Sequence, residues 1–133
     1  MTIETLLANF EFQEAPSGPE AEQLLQKIDF QVDGDWLSFA LRHSGAYGEI
    51  GTYYVAFWTI DEICALNPYY APENDDGYSS SLFFFASNGG DAGFAIRKAD
   101  GVFLEVPYIG MSPEESIEMG ADFLAFLRYL SEH

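Results

Sequence analysis

The chain has 133 residues and carries 22 Asp and Glu against 5 Lys and Arg, a formal charge of −17. Nucleic acids and anionic membranes are bound by clustered basic side chains; here only Arg97 and Lys98 adjoin, so both partner classes are excluded. At 48% hydrophobic and 17% aromatic, with 12 Phe, the chain is too apolar for intrinsic disorder, and one domain with a real core is the expectation.

Taken in chain order, Ile3 to Phe10 is a short apolar stretch with Leu6, Leu7 and Phe10 at helical spacing. Residues 1–12 lack the basic start of a secretory leader, and the longest apolar run, Tyr53 to Trp58, falls far short of the roughly 18 residues that span a bilayer. A soluble, cytoplasmic protein is therefore expected. Pro16, Gly18 and Pro19 interrupt regular structure. Ala21, Leu24, Leu25 and Ile28 then fall on one face of a helix over Glu20–Ile28. Asp33 to His43 predicts a second helix, capped by Asp33 or Asp35, with Trp36, Phe39, Ala40 and His43 along one side. Gly45 follows where a helix end favours positive φ.

From Thr52 to Thr59, β-branched and aromatic residues predict a strand. Thr59 and Glu62 stand in capping-box register and open a short helix over Ile60–Leu66, ended by Asn67-Pro68. Pro72 to Ser81 reads as a loop. Leu82–Ala86, Gly93–Lys98 and Val102–Val106 are strands joined by the turns Ser87–Asp91 and Asp100-Gly101, hence antiparallel. Ser112, Pro113 and Glu115 predict the start of another helix. Asp122 to Leu130 is the last, with Phe123, Phe126, Leu127 and Leu130 on one face. The sum is a single α+β domain, a central, mainly antiparallel sheet flanked by N- and C-terminal helices.

Few residues offer chemistry. Cys64 is the lone cysteine, which excludes an internal disulfide and a Cys-based zinc site. His43 and His133 are the two histidines, and nothing places either beside Cys64 as a base. Gly89-Gly90 lies between strands, where a hairpin turn is expected and not a phosphate cradle. Glu73 to Gly77 lacks the spacing of a calcium loop. No catalytic, metal or cofactor residues are assigned, and no enzyme is expected. The acidic loop does adjoin tyrosines. Tyr69, Tyr70, Glu73, Asp75 and Asp76, with Asp91 in the turn, form the candidate surface for a protein partner with a basic face, tyrosines as anchors and acids at the rim.

Four stretches in order resemble one family. Val32 to Phe39, ending at Gly45, is similar to the "L-P-x-D-Y-x-x-F … N-G" helix of the SUKH superfamily. Phe57-Trp58, then Glu62-Ile63 and Asn67, resemble its strand and short "E-I-x-x-x-N" helix. Phe84 to Asp91 with Phe94-Ala95-Ile96 resemble its glycine-rich hairpin, and Ala121 to Leu127 its closing "A-x-S-F-x-x-F-L" helix. Asp33 stands where the family has proline, Trp36 for tyrosine, Ala86 for glycine and Asn88 for aspartate. The superfamily includes the Smi/Knr cell-wall regulators of fungi and many bacterial immunity proteins. The resemblance implies an α+β fold and a binding role, either an immunity protein neutralising a toxin domain or a regulatory interaction scaffold; the acidic balance fits a basic toxin, such as a nuclease.

Overall fold

The apolar runs of the middle and later chain are strands, and they organise everything else. The computed structural model describes residues 2–72 and 77–133. Its elements are α1 (Ile3–Leu6), β1 (Glu11–Phe12), α2 (Gly18–Lys27), α3 (Gly34–Arg42), β2 (Ala46–Ile50), β3 (Tyr53–Phe57), α4 (Ile60–Tyr70), a 3-10 turn (Tyr78–Ser81), β4 (Leu82–Ser87), β5 (Ala92–Arg97), β6 (Phe103–Pro107), β7 (Ile117–Gly120) and α5 (Phe123–Glu132). The strands make one α+β domain around a single sheet in sequence order, β1 to β7, with every neighbouring pair antiparallel.

Strand alternation sorts side chains between the faces. Phe83 pairs with Ile96, and Ile96 with Phe103, so these three share a face. On it lie α3 and α5. Trp36 of α3 meets Phe83 and Phe85 edge-on at 5.9 Å. Phe126 of α5 touches Phe85, Phe94 and Phe103 at 5.7, 5.4 and 5.5 Å, and Phe123 reaches Phe39 and Phe57. Trp36, Phe39, Phe123, Phe126 and Leu127 are all buried, as helical stripes predict. Phe84, next to Phe83 and paired with Ala95, projects by strand alternation to the opposite face, against Trp58, Tyr70 and Tyr108, and the register shifts just after it.

β3 and β4 pair only through Ala56–Ser87 and Phe57–Ala86, then diverge, and α4 fills the gap. Here Asn67 stands in for a strand. Its carboxamide accepts from the Phe84 N–H at 2.8 Å and donates to the Phe84 carbonyl at 2.8 Å, and also to the Ile63 carbonyl at 2.9 Å. A backbone edge left without a neighbour is thus satisfied by one side chain.

Several sequence expectations are corrected. The first helix ends at Leu6, after a single turn. α4 does not stop at Asn67-Pro68; it carries Pro68 inside and closes with the Ala71 N–H donating to Asn67 at 2.7 Å. Packing of Tyr70 on Trp58, Phe84 and Tyr108 holds that last turn against proline's usual breaking effect. Ser112 does accept from the Glu115 N–H at 3.2 Å, but the chain makes only a turn and then enters β7. Asp33 occupies the cap position of α3, yet its carboxylate accepts from the Phe123 N–H at the start of α5, at 3.1 Å. β1, β2 and β7 had no counterpart in the sequence reading.

Candidate protein-binding surface

The surface is built at the end of α4. Thr59 and Glu62 form the predicted capping box: Thr59 accepts from the Glu62 N–H at 3.1 Å, and Glu62 accepts from the Thr59 N–H at 2.9 Å. The helix so started delivers Tyr69 and Tyr70 at its far end. Tyr70 is half-buried. Tyr69 stands outside it, 76% exposed, its ring perpendicular at 4.9 Å.

Tyr70 stacks on Tyr108 with centroids 4.3 Å apart and planes 21° from parallel. Tyr108 just follows β6, and its backbone N–H donates to the Asp91 carbonyl at 3.0 Å. Gly93 makes room for it: a Cβ there would lie 2.8 Å from a ring carbon of Phe84 and 2.9 Å from one of Tyr108. Burial, reinforced by Tyr70, pushes the Tyr108 phenol up to about 12, so it is protonated at neutral pH. The next residue, Ile109, is 93% exposed.

Asp91 closes the β4–β5 turn. The Asn88 side-chain oxygen accepts from the N–H groups of Gly90 and Ala92 at 2.9 and 3.2 Å, and its amide donates to the Asp91 carboxylate at 3.2 Å. Gly89 has φ +84°, as the turn requires, and a Cβ there would sit 2.9 Å from the exposed Tyr54 ring. This is a turn between antiparallel strands, as predicted, with no helix N-terminus for a phosphate.

Of the sequence candidates, Tyr69 and Tyr70 are in contact, and Asp91 is joined to them only through the backbone bond from Tyr108 to its carbonyl. Glu73, Asp75 and Asp76 lie outside the described residues. Tyr108 and Ile109 were missed; the signal was a pair of large side chains, Pro107-Tyr108-Ile109-Gly110, just past a strand end, where an apolar residue has little reason to be placed unless it packs or binds. Tyr78 is not part of the surface: its hydroxyl bonds Ser116 at 3.1 Å.

The remaining chemistry-bearing residues sit elsewhere. His43 lies between Phe12 and Phe39, at 4.6 and 5.4 Å, and burial first, then Arg42, holds its pKa below the usual imidazole range. Cys64 lines a different cavity, with Gln23, Gln26 and Lys27, and burial pushes its thiol up, away from reactivity. Among the described residues no His, Cys, Asp and Glu cluster could hold a metal, and no helix is long and apolar enough to cross a membrane. Also among the described residues, only Arg97 makes ion pairs, to Asp100 at 2.8 Å and Glu118 at 2.9 Å, so the acidic surface is largely uncompensated. No protein-family model matches the chain, and no curated protein matches it.

Proposed function

We propose that this chain is a non-enzymatic cytoplasmic binding protein of the SUKH kind that neutralises a toxin domain with a basic surface. The observation that carries this is the exposed Tyr69 packed on the stacked Tyr70–Tyr108 pair, with the exposed Ile109 next in sequence after Tyr108, in a chain of charge −17. Interfaces use such anchors at the centre, while surrounding charge steers encounter. The order of the four resembling stretches supports the SUKH reading, and the acidic balance, complementary to a basic toxin, supports the immunity role over the regulatory one.

The test is co-expression. A protein captured by this chain from its own cells should be toxic when expressed alone and harmless when expressed with it. A Tyr69→Asp, Ile109→Asp variant with unchanged thermal stability should lose that protection. A captured protein that is harmless on its own would point to the scaffold reading instead.

A further inference from the structure

Five basic residues serve the whole chain, and two of them line the same cavity. Lys27, at the end of α2, and Lys98, just after β5, line one cavity of about 350 Å³ between the last turn of α4 and the start of β4. Much of its wall is apolar, with Ile63, Pro68, Ala71 and Leu82, and Asn67 adds a carboxamide. α2, α4, the start of β4 and the residue just after β5 thus each contribute to its lining.

The two ammonium groups are unusual for their surroundings. Acids outnumber bases more than four to one. Arg97, the immediate neighbour of Lys98, holds both Asp100 and Glu118. Yet neither Lys27 nor Lys98 makes an ion pair among the described residues, although Asp29 and Asp100 border the adjoining cavities. Lys98 instead lies 6.0 Å from the centre of the Phe30 ring. Two lysines without an ion pair among the described residues, lining one cavity with apolar residues, are complementary to an anion with an apolar body, since ligand sites combine apolar walls with a few placed polar groups. The chain's overall negative charge does not forbid this: at physiological salt charges beyond about 8 Å are largely screened, so distant acids weigh little at the cavity.

We propose that this cavity binds a small amphipathic carboxylate, its apolar body against Pro68, Ala71 and Leu82 and its carboxylate between Lys27 and Lys98. This site is separate from the tyrosine patch and does not depend on the toxin-binding reading.

Fluorescence titration with 8-anilinonaphthalene-1-sulfonate, an apolar ring system bearing one anion, tests it directly. One saturable site per chain is expected. Octanoate should displace the probe, and octanol, the uncharged chain of equal length, should not. Lys27→Gln with Lys98→Gln, checked for an unchanged near-ultraviolet circular dichroism spectrum, should weaken the probe at least about tenfold, the loss of charge-assisted contacts. Amide shifts on adding octanoate should centre on Ala71, Leu82 and Lys98. Absence of a saturable site, equal affinity in the double variant, or displacement by octanol as effective as by octanoate would each overturn the proposal.

Discussion

Glu105 sits at an inward-facing position of β6, opposite Phe94, and is half-buried. Burial, with Asp91 nearby, raises its carboxyl above the ordinary 4.5. A group whose folded pKa is raised favours the fold while protonated and loses that contribution as pH rises through the folded value. Glu105→Gln is therefore expected to raise the melting temperature at pH 7 and leave it unchanged near pH 3, measured by thermal scans at both. His43 works in the other direction. Its folded pKa lies below 6.5, so the fold is favoured above pH 6.5 and weakened as pH falls and the unfolded chain takes up the proton first. Asp33 couples two helices, standing at the start of α3 and bonding the start of α5. Asp33→Ala should cost about 1–2 kcal/mol by urea denaturation, and Asp33→Asn, which keeps an acceptor, less.

At the scale of the element, the hairpin joining β2 and β3 closes on the end of α5. Gly51 has φ +59°, and a Cβ there would overlap the Leu130 carbonyl oxygen. Gly51→Ala should cost more than about 1 kcal/mol in urea denaturation, since strain and collision add. Phe126→Ala, which empties the centre of the α5 face, should cost about 3–5 kcal/mol. These same elements separate what the sequence displays from what it hides. α5 is legible because its buried residues fall at helical spacing, and β3 to β6 because each is a run rich in apolar and aromatic residues bounded by turn signals, β4 and β5 being buried almost throughout. β2 is not, because Gly48 breaks its alternation; the glycine is there so that Phe10 can approach within 2.9 Å of where a Cβ would be. β7 is masked by the Ser112–Glu115 capping signal, which forms its hydrogen bond but loses to pairing with β6. The candidate surface is half legible. Tyr69 and Tyr70 adjoin in sequence, whereas Tyr108 joins them only through the sheet.

For the whole molecule, charge is the governing quantity. Self-repulsion at −17 opposes compaction, so the melting temperature should rise as salt goes from about 0.01 M to about 1 M and the Debye length contracts from about 30 Å to about 3 Å. The same field should speed the approach of a basic partner. Its association rate should fall with salt, while Tyr69→Ala leaves that rate near unchanged and hastens dissociation, as stopped-flow and chase measurements can separate.

The Asn67 carboxamide has a consequence for self-assembly. Leu82-Phe83-Phe84-Phe85-Ala86 is uncharged, rich in aromatic residues and free of proline, the composition of a fibril-forming segment. One edge of its first half has no strand beside it, because β3 has already turned away. An open edge in such a segment invites an identical segment from another molecule. By occupying both the N–H and the carbonyl of Phe84, Asn67 plugs that edge from within. Asn67→Ala should therefore show itself less in monomer stability than in a concentration-dependent, thioflavin-positive aggregate that forms below the melting temperature, while the parent chain stays in solution.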